Sequence, residues 1–382
     1  MKKKPDRVWV EINLDNISHN YKQIKEHVGQ DVLINAIIKA DGYGHGAIET
    51  AKILCENKVD MLSTATLDEA IQLRKKRIEK PILVLGYTDS DRIDEIITNN
   101  ITISIFNYKL ALDMSKAATK HNKKIKVHFK IDTGMNRIGF SYNDTTLIFD
   151  ALKLENLEIE GIFTHFANAD TNDKEYTTLQ YKRFIDILNL IEKKGYVIPL
   201  KHACNSGGII LHKDKYLNMV RPGIILYGLY PSEYLKNNSP LNLKPVMTFK
   251  SRVIEIKEVD KNQPISYGGK YKTNKKTKIA TIACGYADGF SRQLSSNINV
   301  LINKENAPIV GNICMDMCMA DITGLSVLEG DEVILFNEKL KVENIAKMCN
   351  TINYEIVCKI GMRVPKVYFK NDKIYKIQNY LM

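Results

Sequence analysis

Leu33-Ile34-Asn35-Ala36-Ile37-Ile38-Lys39-Ala40-Asp41-Gly42-Tyr43-Gly44-His45-Gly46 is an apolar run that ends in a lysine and a glycine-rich turn. Apolar, β-branched runs of this kind recur along the chain. They lie near Leu33–Ile38, Met61–Ala65, Ile82–Leu85, Ile101–Ile105, Ile125–Ile131, Ile159–Thr164, Val197–His202 and Leu217–Val220. Between most of them the apolar spacing is helical, as at Leu67, Ala70, Ile71 and Arg74, or Phe184, Ile187, Leu188 and Ile191. Continuous apolar strands separated by helices indicate a parallel sheet covered on both faces. About eight such units fit an N-terminal (β/α)8 TIM barrel of α/β class. An open doubly wound sheet has the same periodicity and stays open as an alternative.

Ile17, Tyr21, Ile24 and Val28 mark an opening helix, with Asp15 as its expected N-cap. Near Asn237–Pro245 the composition shifts to Pro, Asn and Ser, and beyond it strands alternate: Val246, Thr248, Lys250, then Val253–Ile256. Lys278–Ala283, Ile298–Ile302 and Glu332–Phe336 extend the pattern, with helix only around Val342–Cys349. The expected division is therefore a barrel over 1–240 and a mainly β domain over 241–382, with strand 8–12 joining the β domain.

The chain has 382 residues, with 44% hydrophobic and 26% charged content, which suits a globular protein of two domains. A net charge of +11 is spread along the chain; its densest cluster, Lys270–Lys278, carries no nucleic-acid-binding pattern. A positive field favours anionic small ligands. No apolar run is long enough to span a bilayer, and Pro5, Asp6, Arg7, Glu11 and Asp15 interrupt the segment after Lys2–Lys4 where a signal peptide would continue. Seven scattered cysteines without a CxxC pair read as reduced core thiols of a cytoplasmic protein, and Cys314 and Cys318 lack the partners of a metal site. Neither nucleic acid, membrane nor metal is expected as a partner.

Barrels of this type place their chemistry at the C-terminal ends of the strands. Lys39 stands at such an end, where lost hydration makes an amine a better nucleophile toward an aldehyde, although a strand-end lysine reaching solvent reads the same way. Asn205-Ser206-Gly207-Gly208 and Arg221-Pro222-Gly223-Ile224 follow two later strands and suit a phosphate on backbone N–H groups; plain turns explain each alone. His165 ends the sixth strand, and Lys130-Ile131-Asp132-Thr133-Gly134-Met135-Asn136-Arg137 surrounds the end of the fifth. Polar groups at several strand ends are harder to attribute to packing than any one of them.

These stretches occur in a familiar order. Val10–Leu14, Lys39–Gly46, Lys130–Gly139, Thr164–Ala167, Asn205-Ser206, Arg221–Gly223, Ser266-Tyr267-Gly268, Cys314-Met315-Asp316 and Arg363-Val364-Pro365 together strongly resemble the bacterial alanine racemases, from about Trp9 to Tyr368. The resemblance implies a fold-type III barrel with a β domain, in a homodimer with shared active sites. It implies pyridoxal 5′-phosphate as cofactor, with Lys39 forming the Schiff base and Tyr267, from the other subunit, as the opposing base. Tyr43, Ser206, Gly223, Ile224 and Tyr354 match phosphate-binding positions; Arg221 matches the arginine facing the pyridine nitrogen, and His165 the residue linking it toward the tyrosine. Arg137 and Met315 match substrate-carboxylate contacts, Lys130 a lysine often carbamylated to steady Arg137, and Asp316 follows in a supporting place. Gly42, Met317 and Asn353 depart from the common alanine, glutamine and proline, and Met317 bears on substrate preference.

The implied reaction interconverts L-alanine and D-alanine for peptidoglycan, Lys39 serving the D-enantiomer and Tyr267 the L-enantiomer. Ionising a tyrosine at neutral pH ordinarily costs roughly 4 kcal/mol, so Arg221, acting through His165, and Arg137 are the candidate helpers. Alternatives are a serine or broad-specificity racemase of the same fold, or a non-catalytic barrel protein binding the same cofactor, which would lack the β domain and Tyr267. A related decarboxylase would need a cysteine and an acidic group suited to a basic substrate, a pattern not found here.

Overall fold

The computed structural model describes residues 5–382. Its contacts divide into two compact units, one built from Ile17–Gly42 and Ala47–Lys244, the other from the segment up to Asn16, Tyr43–Gly46 and Pro245–Met382.

The first strand, β1 (Val8–Asn13), leads into helix α1 (Leu14–Val28). Eight further strands follow: β2 (Leu33–Ile37), β3 (Met61–Thr64), β4 (Ile82–Val84), β5 (Thr102–Ile105), β6 (Ile125–Asp132), β7 (Leu157–Phe163), β8 (Leu200–His202) and β9 (Met219–Val220). Each pairs in parallel with the next, β9 returns to β2 through Met219↔Leu33, and β5 pairs with β6, so the sheet closes. This is the barrel expected from the apolar runs, and the open-sheet alternative falls.

One strand departs from the uniform apolar reading. In β6, Ile125, Val127, Phe129 and Ile131 are buried, while Lys126, His128, Lys130 and Asp132 alternate with them. His128 reaches His202 on β8 although β7 lies between their strands, so this polar face of β6 points into the barrel.

The helix cap also differs. Asn13 Oδ1 accepts from Asn16 N at 3.0 Å and caps α1, whereas the Asp15 carboxylate accepts from Asn371 N at 2.6 Å. An N-cap must sit one residue before the helical φ/ψ begins, and Leu14 is already helical.

The second unit is a sheet built on β10 (Met247–Val259), whose alternating Met247, Phe249, Ser251 and Val253 are buried. β1 lies antiparallel to β10 (Val8↔Ser251) and parallel to Lys366–Lys370 (Val10↔Lys366). Thr277–Ile282, Asn299–Ile302, Glu305–Pro308, Cys318–Asp321, Glu332–Phe336 and Lys373–Gln378 complete it. Trp9, Phe249 and Tyr368 are fully buried there, each contributing about 1.5–3 kcal/mol relative to an exposed side chain. Among the described residues no helix is long and apolar enough to cross a membrane.

Candidate active site

Lys39 directly follows the apolar end of β2, and the chain then turns with left-handed backbone at Ala40 (φ 51°), Asp41 (φ 51°), Gly42 (φ 63°) and Tyr43 (φ 53°). Left-handed conformation costs a non-glycine residue roughly 1–2 kcal/mol, so the turn needs compensation. Gly42 N donates to Ile38 O at 2.9 Å, Ala47 N to Asp41 Oδ1 at 2.9 Å, and Ala40 N to Glu69 Oε1 at 2.6 Å. Glu69 also accepts from Ala65 N and closes a capping box with Thr66, so one carboxylate ties the ends of β2 and β3 together. Beyond the turn, Tyr43 packs on Tyr354 with ring centroids 6.0 Å apart. At Gly44 a Cβ would stand 2.1 Å from Val357 O, which restricts that position to glycine.

Arg221, 3% exposed, is the hub of the barrel end. Its Nη2 donates to Thr164 O at 2.7 Å, Ala203 O at 3.0 Å and His165 Nδ1 at 3.2 Å, while Nη1 donates to His202 Nδ1 at 2.8 Å. Burial pulls its pKa down to about 10, which leaves it a cation at neutral pH. Burial, together with the charges of Arg221, Lys130, Arg137 and Lys39, holds His165 well below the usual imidazole range. His165 is therefore neutral. Because its Nδ1 accepts from an arginine, its proton sits on Nε2, ready to donate.

Lys130 lies on the inward face of β6, with Nζ 5.1 Å from the centroid of the Phe163 ring. Burial first, then Arg221 and Arg137, bring its pKa down to about 7. The following loop is held by Asp132 Oδ1, which accepts from Gly134 N at 2.9 Å and Asn136 N at 3.1 Å, and it carries Arg137 at the exposed surface. After β8 and β9, Ser206 Oγ accepts from Gly223 N at 2.9 Å, bringing Ser206 beside Gly223 and Ile224.

In the β unit, Tyr267 is 73% exposed, and Ser266 Oγ donates to Asn312 O at 2.6 Å beside it. An open concavity of about 1020 Å³ is lined there by Tyr267, Tyr286, Met315, Asp316 and Met317, among others. The backbone at Met315 and Asp316 rests on an ionic cage. Asp288, fully buried, accepts from Arg7 (2.8 and 2.7 Å) and from Arg363 Nε (2.8 Å); Arg363 Nη2 reaches Asp316 Oδ1 at 2.6 Å, and Arg7 Nη2 reaches Asp316 O at 3.0 Å. Ala287 N donates to Met315 O at 3.1 Å.

The structure thus groups Lys39, Lys130, Arg137, His165 and Arg221 electrostatically, Ser206 with Gly223 and Ile224, Tyr43 with Tyr354, and Tyr267 with Met315 and Asp316. Residues that the sequence reading passed over support them. Glu69 and Asp288 are two. Gln180 is a third: buried within a helix, its Oε1 accepts from Ala167 N at 2.9 Å and its Nε2 donates to His165 O at 3.1 Å. Only the T-x-x-E capping pattern at Thr66–Glu69 offered a signal. Among the described residues, no group of three or more His, Cys, Asp or Glu is placed to hold a metal ion.

The family models for the N-terminal and C-terminal domains of alanine racemase match residues 12–231 and 246–368. The chain belongs to the alanine racemase family. It is 46% identical to an alanine racemase of Clostridium kluyveri, over 98% of this chain and 97% of that protein. The solved alanine racemase of Clostridium difficile 630 superposes with a TM-score of 0.95 at 44% identity, over 100% of both chains. A crystal structure of alanine racemase from Bartonella henselae with covalently bound pyridoxal phosphate has a TM-score of 0.87 at 30% identity, covering 96% of this chain and 100% of that one. Alanine racemisation is accordingly the activity that the residues at the barrel end have to explain.

Proposed function

We propose that the chain interconverts L- and D-alanine with pyridoxal 5′-phosphate held at the end of β2 by Lys39, in a cytoplasmic homodimer whose second copy supplies Tyr267, the product serving peptidoglycan synthesis. The observation that carries this reading is the gathering of Lys39, Lys130, Arg137 and Arg221 around the neutral His165. Among the described residues no carboxylate bonds Arg221, so the site has a positive surplus suited to a phosphate and a substrate carboxylate. Ser206, Gly223 and Ile224 would hold the phosphate together with Tyr43 and Tyr354, and Arg221 would face the ring nitrogen. When bound, the cofactor supplies an electron sink that makes the α-proton of the amino acid removable.

The protein's share is geometry and charge. Lys39 takes or returns the proton on one face, serving D-alanine, and Tyr267 does so on the other, serving L-alanine. His165, a donor through Nε2, stabilises an ionised phenol opposite it and relays the influence of Arg221. Because a guanidinium holds its protons tightly, Arg221 would offer the ring nitrogen a hydrogen bond without giving up a proton, which would favour return of the α-proton over side reactions. Lys130, neutral above pH 7, is nucleophilic toward dissolved carbon dioxide; the amine adds to the carbon, loses a proton and becomes a carbamate anion that steadies Arg137, which binds the substrate carboxylate together with the Met315 that comes with Tyr267 from the second copy.

Met317 lines the same concavity as Tyr267, a place from which it would bear on which side chains beyond a methyl the site accepts. Purified protein supplied with cofactor and L-alanine should produce D-alanine to equal amounts of both, faster than it racemises serine and without acting on lysine. The Lys39→Ala variant, folded, should lose both this activity and the visible absorbance of bound cofactor. Absence of D-alanine from the cofactor-loaded wild type would overturn the reading.

A further inference from the structure

A second polar path leaves Arg221 on the side away from His165. His202 accepts from Arg221 through Nδ1, and its Nε2 lies 2.9 Å from His128 Nδ1. His128 Nε2 in turn lies 3.6 Å from Glu160 Oε2, an electrostatic contact longer than a hydrogen bond. Glu160 also accepts from Thr102 Oγ1 at 3.2 Å and from Lys126 Nζ at 3.2 Å. Both imidazoles are fully buried, and the Glu160 side chain is 20% exposed.

The chemistry of the two ends fixes the protons between them. A guanidinium only donates and a carboxylate only accepts. Arg221 therefore requires His202 to carry its proton on Nε2, His202 donates it toward His128 Nδ1, and His128 keeps its own proton on Nε2, facing Glu160. Burial holds both rings below the ordinary imidazole range, so the chain stays neutral between its charged ends. Every N–H points toward Glu160.

Three local features show that the backbone is shaped around this path. The β6–β7 register passes from Val127↔Ile159 to His128↔Gly161, so Glu160 is the extra residue of a bulge, a device that re-aims a side chain. At Gly161 a Cβ would stand 2.5 Å from His128 Cε1, so only glycine lets the ring lie there. Phe163 stacks on His202 with centroids 4.8 Å apart at 5° and fixes its plane.

We propose that Glu160 is a positioning residue for Arg221, acting through His128 and His202 by imposing one tautomer on each and thereby holding the guanidinium in place. This rests on the reading that Arg221 faces the cofactor ring. An amide at position 160 donates as readily as it accepts. It leaves the two rings held from the Arg221 end alone, so the opposite pair of tautomers, with an N–H of His202 against the N–H groups of Arg221, is no longer opposed at both ends of the path.

The test compares wild type with Glu160→Gln. In ¹⁵N NMR of the cofactor-free protein, His202 should be a single Nε2–H tautomer in wild type and a mixture in the variant. In the loaded enzyme, kcat for alanine should fall about tenfold with KM nearly unchanged, and the fraction of turnovers lost to transamination should rise by a similar factor. In a His202→Phe background the Glu160 substitution should add nothing further. If Glu160→Gln does not fold, Glu160→Asp, which keeps the acceptor, should retain the single tautomer and the low transamination of wild type. Unchanged tautomers and unchanged partitioning in Glu160→Gln, or a mixed His202 tautomer in Glu160→Asp, would overturn the proposal. A wild type that fails to racemise alanine would defeat the functional reading alone, since the tautomers are read without cofactor.

Discussion

The barrel end and the Tyr267 loop hold their side chains in opposite surroundings. Lys130 and Arg221 are 4% and 3% exposed, whereas Tyr267 and Met315 are 73% and 53% exposed. In the barrel, dry surroundings and crowded cations tune the groups within one chain: Arg221 stays charged, His165 stays neutral, and Lys130 is brought to the edge of neutrality. Asn312 fixes the backbone at Tyr267, and the Asp288 cage fixes that at Met315 and Asp316, but the Tyr267 and Met315 side chains stand uncovered. Electrostatic tuning can be built into a single chain, while an exposed phenol and an exposed apolar rim acquire their environment only when another surface covers them.

The sharpest way to break this contrast is to remove the phenol. Tyr267→Phe should lower racemisation by about 10²–10⁴-fold, the usual worth of a general acid–base group. In D₂O the variant should still exchange the α-proton of D-alanine, read by mass spectrometry, while exchange from L-alanine is lost. Equal exchange from both enantiomers would mean that the barrel side alone handles both faces.

The cage beneath Met315 comes next. Asp288→Asn leaves Arg7 and Arg363, each about a third exposed, around a neutral amide, and losing charged hydrogen bonds of this kind costs about 1.5–3 kcal/mol. Urea denaturation should show a loss of that order, with KM for alanine raised more than kcat is lowered. A loss under about 1 kcal/mol would show that exposure, rather than the cage, governs this loop.

The last test concerns Lys130. Its folded pKa is lowered to about 7 by burial and neighbouring cations, against ~10.4 for an unfolded lysine. Below pH 7 both states are charged and the burial penalty is fully present. From about pH 7 to ~10.4 the unfolded chain binds more protons than the folded one, so stability rises with pH. In buffer free of carbon dioxide, the Tm of wild type minus that of Lys130→Met should climb across that window. A flat difference would mean that the amine is better hydrated than its burial indicates.

The barrel was legible in the sequence because each parallel strand is covered on both faces, and Leu33–Ile37, interrupted only by Asn35, and Ile82–Val84 read as apolar runs. The strand-end positions of Lys39, His165 and Arg221 followed from the same periodicity. The inward polar face of β6 was hidden by its equally complete apolar face, since alternation appears only once the strand's neighbours are known. The left-handed turn ran against propensity: Ala40 and Tyr43 are poor candidates for positive φ, and the Glu69 bond to Ala40 comes from 29 residues away. Asp288, Gln180 and the His128–Glu160 pair carry no motif, because their meaning lies in contacts between segments distant in sequence. The N-cap of α1 moved from Asp15 to Asn13 for a local reason, the single residue by which a cap must precede its helix.

Whether one site draws on two chains is best measured by mixing two inactive variants, Lys39→Ala and Tyr267→Phe, under conditions that exchange subunits. If Lys39 of one copy works with Tyr267 of the other, each mixed dimer regains one intact site, and random exchange restores about a quarter of wild-type activity. If both groups come from the same copy, every site in the mixture keeps one defect, and activity stays at the level of the separate variants.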